Sequence, residues 1–443
     1  MQKKLNFTLC QTPCLMLISI LILSFSKSVT AQTTTSHSPY SQFGLGQIRE
    51  DLLPQTRAMG GIAAGMRYQS GFAPLNISNP ASYSAMTRTI LEAGLYGNGT
   101  RLTKGVATDY TADFAFSHFA IGIPFSQKAG GMAFGLLPYS DVGYSSTTNR
   151  IIGSYQYKTT SSGEGGVNKA FIGYGISPFK GVSVGGNVGF LFGSLSDITS
   201  SEFPFAADAY NTIQTDTRLI RGVSYDYGVQ YFRALGNKLN FTVGYSGSLN
   251  NTINDKTTRL VTRTKTDASA EVEQQVAIDT SENRTLSTRR INLPLKHNIG
   301  FTLSKGYNWM VGADFKYADW SNYQTRIGEP PLGKNIGFAI GGQIKPDPTS
   351  IRYLNQVDYR IGFRYNKTHM SVNNQRINDM AVTVGMGFPL PETNFGRTFS
   401  NMNISAEFGQ QGTLKSNLVR ERYISINLGF TINDTWFLRR NLD

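Results

Sequence analysis

Apolar and polar residues alternate along residues 423–433, near the C-terminus of the chain. Every second position there is apolar, and the positions between are small or polar; the apolar ones are Ile424, Ile426, Leu428, Phe430 and Ile432. A period of two is that of a β-strand, because successive side chains leave a pleated backbone on opposite faces. The stretch therefore predicts a strand with one apolar face. A strand in a soluble β-sandwich shows the same pattern, so the rest of the chain must decide between the two folds.

The same alternation recurs from residue 87 onward in fourteen segments. They begin near Ile90, Thr111, Gly131, Val167, Val182, Arg218, Lys238, Ile291, Asn308, Asn335, Gln356, Met380, Phe399 and Arg422. Connections after even-numbered segments are mostly short, whereas several after odd-numbered ones are long, notably 145–166, 194–217 and 251–290. Short turns at one end and long loops at the other are typical of an even-stranded outer-membrane barrel.

Closure is required for a sheet that spans lipid, because an open edge would leave unpaired backbone groups in hydrocarbon. The sequence therefore predicts an all-β fold, a fourteen-stranded antiparallel transmembrane β-barrel over residues 87–443. The expected location is the bacterial outer membrane, with both termini periplasmic and with Ile424 and Ile426 facing lipid.

The first 86 residues do not alternate. Residues 1–31 combine Lys3 and Lys4 with a short apolar run and a small-residue end at Ala31, which predicts a cleaved signal peptide. Both cysteines, Cys10 and Cys14, lie within it, so the mature chain has no thiol. Residues 32–86 are rich in turn formers and predict a compact, mostly irregular plug, or hatch, inside the barrel.

Composition and charge narrow the function without defining it. The 46 glycines and the 16% content of charged residues argue against two or three soluble domains. The net charge of +13 is not accompanied by a basic helix or a zinc motif, so nucleic acid is not an expected partner. Lys256, Arg259, Arg263 and Lys265 lie in a Thr-rich segment, which is either a solvated loop or a contact with anionic lipopolysaccharide.

Charged residues of mixed sign take the inward parity of three predicted strands. They are Asp314, Lys316, Asp358, Arg360, Arg364 and Glu407. Mixed signs in a confined lumen suggest a luminal ladder of ion pairs that stiffens the wall. Alternatively, Arg360 or Arg364 binds the carboxylate of a ligand in the bidentate geometry that arginine allows.

Apolar residues take the inward parity of the first two strands. This parity predicts an apolar side of the lumen, formed by Ile90 and Tyr96 on strand one and by Phe114, Phe116 and His118 on strand two. An apolar pocket with a few polar groups is suited to an amphipathic small molecule. The alternative is that these side chains only pack against the plug.

Proline interrupts the third strand at Pro138. Proline has no N–H for a β-ladder and a closed barrel has no edge, so Pro138 predicts either a bulge or a position where pairing has ceased.

No motif in the sequence indicates catalysis. The four histidines lack metal-ligand spacing and no nucleophile motif is present, so neither an enzyme nor a metal or other cofactor is expected.

The triplet Asn79-Pro80-Ala81 lies just before the first strand, and we expect it near the wall at strands one to three. Together with the signal peptide, the plug and the fourteen strands, it resembles the FadL-type outer-membrane transporters of long-chain fatty acids and other hydrophobic compounds. The resemblance covers most of the mature chain. It implies passive lipid transport, with a hatch that closes the lumen and a ligand that leaves sideways at a kinked third strand.

The resemblance makes Pro138 the hypothetical lateral opening, with Phe114 and Phe116 as its greasy approach, and Ile90 and Tyr96 as further parts of the ligand path. Membrane lipids, lipopolysaccharide and a hydrophobic small molecule are the expected partners. A second hypothesis makes the barrel a structural or accessory subunit of an outer-membrane assembly or secretion complex, which would bind other outer-membrane proteins. An open polar porin is a third, which a plug disfavours.

Overall fold

The computed structural model describes residues 38–67, 74–126, 129–152, 155–203, 209–267, 274–326, 329–391 and 398–434. The predicted signal peptide, residues 1–31, lies outside this part of the chain. No helix within the described residues is long and apolar enough to cross a membrane.

Fourteen antiparallel strands form the barrel wall, as the alternation predicts. In chain order they are β1 Thr89–Lys104, β2 Ala107–Ser126, β3 Gly130–Ile152, β4 Tyr155–Phe179, β5 Val182–Glu202, β6 Asn211–Gly236, β7 Leu239–Ser248, β8 Leu295–Lys305, β9 Trp309–Asp319, β10 Lys334–Ile344, β11 Asp358–Val372, β12 Gln375–Pro389, β13 Phe399–Gly412 and β14 Arg420–Asp434. Each pairs with the next, and β14 pairs with β1 to close the sheet, Leu428 opposite Leu95. The prediction of a closed fourteen-stranded barrel is confirmed.

The two faces of the wall differ as the pattern requires. Ile424 and Ile426 are 50% and 48% exposed on the outward face, whereas Asn427 and Thr431, of opposite parity, are buried inside. Outward apolar side chains recur on all sides of the barrel, among them Val311, Phe338 and Ile361. Because no protein covers them, this face is suited to lipid.

Three predicted loops are ordered as strands instead. Residues 145–166 and 194–217 mostly extend β3 to β6 beyond the rest of the wall. The predicted loop 251–290 contains the strands Thr252–Asp267 and Gln274–Asn292, which we call the projecting hairpin. Its first strand pairs with the extension of β6, Arg221 opposite Asn254. Polar Thr-rich alternation favours strands as much as loops, and a neighbouring extension offers backbone partners, which explains the error.

A β-bulge in β2 overturns the predicted orientation of Phe114 and Phe116. The β1–β2 register passes from Gly94–His118 to Leu95–Phe116, which leaves Ser117 as the extra residue. One extra residue reverses the parity of everything before it. Phe114 and Phe116 therefore face outward, 66% and 41% exposed, while His118 keeps its predicted inward position.

The N-terminal segment, described as residues 38–67 and 74–86, passes from one end of the barrel to the other. We call the end that carries the projecting hairpin the hairpin end, and the opposite one the short-turn end. Ser38 Oγ donates a hydrogen bond of 2.7 Å to Glu421, which lies opposite Leu102 at the hairpin end. The chain enters β1 at Thr89, paired with Asp434 at the short-turn end. The first and last described residues thus lie at opposite ends of the barrel, and the two chain termini, which the sequence predicts to be periplasmic, lie outside the described residues.

Candidate functional site

Glycines on ten strands allow the N-terminal segment to lie directly on the inner wall. A methyl group built on Gly244 would be 1.7 Å from the carbonyl oxygen of Ala64, and one on Gly341 would be 2.2 Å from that of Met59. Real Cβ atoms do not approach so closely, so only glycine fits. We call these residues the glycine ring: Gly122, Gly131, Gly175, Gly185, Gly228, Gly244, Gly341, Gly362, Gly385 and Gly429.

The triplet Asn79-Pro80-Ala81 is one of the stretches that lie directly on the inner wall. Asn79 caps the 3-10 helix Pro80–Ala85, since its Oδ1 accepts from Ala81 N at 3.2 Å, and its Nδ2 donates to Ala64 O at 2.7 Å. The triplet lies on glycine-ring positions of β4, β5 and β6, listed above. We expected it near β1 to β3. Met86, which follows the triplet, contacts Gly122 of β2 and Gly131 of β3.

The inward charged side chains of β9 bind the N-terminal segment rather than pairing with each other. Asp314 Oδ2 accepts hydrogen bonds from the amides of Ala63 at 2.7 Å and Ala64 at 2.9 Å. Lys316 Nζ is 2.5 Å from Glu50 Oε2 in an ion pair. The protein around Glu50 would by itself raise the pKa of its carboxyl group, but the Lys316 ammonium outweighs this and lowers that pKa.

The remaining charges of the predicted ladder are paired within the wall. Arg360 is 3.1 Å from Asp358, and its other nitrogens donate to Gln343 and Asn403. Arg364 is 3.2 Å from Glu407 and also pairs with Asp379. Both guanidinium groups are therefore already occupied by partners in the wall.

Replacing Asp314 by Ala should loosen the seated segment. The change removes the acceptor of two buried amides. We therefore expect the free energy that holds the segment against the wall to fall by about 3 kcal/mol, from the usual contribution of hydrogen bonds to charged groups. Limited proteolysis of the folded protein should then cut within residues 38–67. The control is Asp109→Ala, since Asp109 is exposed and, among the described residues, its side chain accepts a hydrogen bond only from the amide of its neighbour Tyr110. Equal protease resistance of both variants would remove Asp314 from this role.

The apolar side of the lumen is filled by the segment. Ile90 is fully buried in a cluster with Leu53, Ile77 and Tyr83 of the segment, together with Phe171 of the wall. The predicted pocket at Ile90 is therefore occupied by protein.

A polar chamber remains between the segment and the wall. It is a cavity of about 330 Å³. Its lining is rich in charge and includes Arg57, Asp226, Lys296, Lys316, Arg364 and Glu407. At the hairpin end the connection between β9 and β10 covers it, because Trp320, Tyr323 and Leu332 pack with Leu45 of the segment. Within the described residues, no group of three or more metal-binding side chains comes together.

The wall beside this chamber is interrupted between β2 and β3. Their pairing begins at the short-turn end and stops at Phe119 opposite Leu136. Beyond that point β3 continues to pair with β4 through a bulge between Pro138 and Ser140, so Pro138 lies where the two neighbours part. The bulge predicted from Pro138 and the end of pairing both occur here. We call this place the interrupted pair.

Residues 47–49 cover the inner side of the interrupted pair. Gln47 and Ile48 pair with Asp141 and Ser140 along the free edge of β3, and Arg49 N donates to Tyr139 O at 2.9 Å. The Arg49 side chain then forms a bridge. It pairs with Asp141 of β3, and its guanidinium lies 3.8 Å from the ring centre of Tyr96 on β1.

Tyr96 thus faces inward as predicted, whereas Arg49 was missed. Residue 49 lies in a stretch with neither helical nor strand period, and nothing local indicates that it reaches two strands. The ring of glycines was missed for a related reason. Its members are far apart in sequence, and only the barrel register brings them to one level.

Comparison with known proteins finds the same fold. The toluene transporter TodX of Pseudomonas putida superposes with a TM-score of 0.54 at 15% identity, over 87% of this chain and 98% of that one. A FadL homologue of Pseudomonas aeruginosa gives 0.51 at 10% identity, over 88% and 100%. No curated protein sequence matches. The BamG family model matches residues 14–443. The resemblance to FadL-type barrels and the outer-membrane barrel are both confirmed.

Proposed function

We propose that this chain, which belongs to the BamG family, is an outer-membrane barrel for passive uptake of hydrophobic and amphipathic molecules, long-chain fatty acids among them. Membrane lipids surround its outward face, and lipopolysaccharide is the proposed contact of exposed hairpin cations such as Lys256. The structural neighbours named for toluene transport and for FadL support a transporter rather than an enzyme. The observation that carries the proposal is the interrupted pair.

The N-terminal segment is the proposed plug, residues 32–86. Its described part is seated against ten strands through the glycine ring, so little room is left along the barrel axis at that level. Asp314, Asn79 and the Lys316–Glu50 ion pair add directional contacts. A solute that reaches the chamber therefore has to move the plug or leave through the wall.

The wall offers a route at the interrupted pair. Leu137 and Pro138 lie on one side, with Ser117 and His118 on the other. Phe114 and Phe116 lie on the outward face of β2, so in the proposed route they receive the ligand on the lipid side instead of lining the lumen. Ile90 is excluded from the route because the plug covers it, while Tyr96 remains at its edge under Arg49.

The luminal charges have a structural role in this proposal. A ligand carboxylate at Arg360 or Arg364 would have to displace a partner that is already bound, and removing one member of a buried ion pair is costly. In this proposal the chamber is a polar cavity, and the ligand passes through the apolar opening at the interrupted pair.

Uptake of a labelled long-chain fatty acid into liposomes tests the proposal. The reconstituted protein should accelerate entry, and Pro138→Val should slow it about fivefold, because the new N–H extends the ladder by one bond worth ~1 kcal/mol. Pro124→Val is the matched control, since Pro124 also adjoins a register shift but lies in the paired part of β2 and β3. No acceleration by the unmodified protein contradicts uptake, and an unchanged rate for Pro138→Val removes Pro138 from the route.

A second candidate is an accessory subunit of an outer-membrane assembly or secretion complex. The BamG family match favours it. The projecting hairpin and the extended strands β3 to β6 would offer protein partners a large surface. Purification in mild detergent discriminates between the two, because reproducible co-purifying outer-membrane proteins support the subunit and bound lipid-like molecules support the transporter.

A further inference from the structure

A small crevice lies at the inner side of the interrupted pair. Its volume is about 10 Å³, room for a single water-sized group. Leu53, Ile77, Leu137 and Pro138 provide apolar walls, and His118 lies at its edge beside Ser117. It shares Tyr96 and residues 49–52 with the polar chamber, so it lies between the chamber and the break in the wall.

His118 lines this crevice, and one nitrogen of its ring has no partner among the described residues. The side chain is 2% exposed, and Nδ1 lies 3.0 Å from Ser117 Oγ. Nε2 has no hydrogen-bond partner among the described residues. A buried polar atom without a partner costs free energy, so its presence calls for a function or a bound group.

The wall is built to hold this ring in place. His118 lies opposite Gly94 on β1, where a methyl group would be only 2.4 Å from the imidazole Cε1. The bulge residue Ser117 supplies the partner of Nδ1, and the regular pairing of His118 with Gly94 keeps the ring on the inner face. The bulge at Ser117, the glycine at position 94 and the hydrogen bond to Ser117 Oγ together fix the orientation of the imidazole ring.

We propose that His118 Nε2 recognises the single polar head group, a hydroxyl or carboxyl, of an otherwise apolar ligand. This inference rests on the proposed function and narrows its substrate class. A neutral imidazole has one donor and one acceptor nitrogen, so Nε2 can bond a hydroxyl in either tautomer. A bare hydrocarbon would leave Nε2 unsatisfied, and sites that hydrogen-bond a ligand group reject analogues that lack it.

Para-cresol and toluene form the discriminating pair, because they differ by one hydroxyl group. We expect the detergent-solubilised full chain to bind para-cresol about tenfold more tightly in calorimetry, the factor expected for one buried hydrogen bond. His118→Phe keeps a flat ring without the nitrogen, so it should lose the preference and bind the two compounds about equally. His118→Gln, which keeps a hydrogen-bonding group, should restore part of it.

A second measurement does not depend on the variants folding. In the unmodified protein with ¹⁵N-labelled histidine, para-cresol should shift the His118 Nε2 resonance and toluene should not. Equal affinities, a preference that survives in His118→Phe, or binding of neither compound, as for a crevice that holds only water, would overturn the inference. Liposome uptake is scored separately. Discrimination in binding without uptake would contradict the proposed transport and leave the recognition by His118 standing.

Discussion

Uptake should stop when residue 48 is locked onto residue 140 by a disulfide bond. Ile48 and Ser140 are direct partners in the short ladder that covers the free edge of β3. Opposed residues of an antiparallel pair have Cα atoms roughly 4.5–5.5 Å apart, within the span of a disulfide. In Ile48→Cys/Ser140→Cys, residues 47–49 cannot leave the interrupted pair. We expect uptake to fall to the rate of protein-free liposomes and to recover on reduction.

The positions of the native cysteines suit this experiment. Both native cysteines lie in residues 1–31, the predicted signal peptide, so the engineered pair would be the only thiols of the mature chain. Asp319→Cys/Lys334→Cys is the matched control, because it links two residues of β9 and β10 that are already paired in the wall. The control should transport equally in both redox states. Undiminished uptake by the oxidised Ile48→Cys/Ser140→Cys protein would show that residues 47–49 do not gate the route.

The strands could be predicted because their signal is local. Alternation of the kind seen at Ile424 and Ile426 arises from the pleat of one strand, and lipid outside the wall demands it on every strand. Pro138 was informative for the same reason, since the missing N–H belongs to the residue itself. Its consequence, that β2 and β3 part at Leu136, follows from the pairing of two strands and needed the structure.

The orientation of Phe114 and Phe116 could not be predicted from parity. The extra residue at Ser117 is an ordinary strand residue, and no glycine or proline marks the bulge. The apolar patch around Ile90 was ambiguous for another reason. An inward apolar side chain looks the same in sequence whether a ligand or another segment of the protein covers it, and here Leu53 and Ile77 of the N-terminal segment cover Ile90.

The route of the N-terminal segment was the least predictable feature. Its contacts join residues hundreds of positions apart, as between Ser38 and Glu421 or between Gly60 N and Thr383 Oγ1 at 2.9 Å. Turn-rich sequence indicates an irregular plug but carries no period that would orient it. The glycines that receive it were visible only as an excess in composition.

Gly341→Val should displace the N-terminal segment from the wall. The nearest neighbours of a Cβ at residue 341 are Met59 backbone atoms, at 2.2, 2.6 and 2.8 Å, so no side-chain rotation can make room. Overpacking of this kind costs about 1–3 kcal/mol where the structure can relax, and more where backbone must move. We expect trypsin to cleave after Arg57 in the folded variant, and the ion conductance of the barrel in planar bilayers to rise.

Gly99→Val isolates the cause of that effect. Gly99 lies in β1, and no atom lies within 4 Å of its added Cβ, so the same substitution there meets open space. Both changes favour the strand conformation through the β-branched side chain. Destabilisation by Gly341→Val alone would therefore come from the lost close approach between the N-terminal segment and the wall. If both variants keep a protease-resistant segment and the original conductance, the glycine ring is not what holds the N-terminal segment in the barrel.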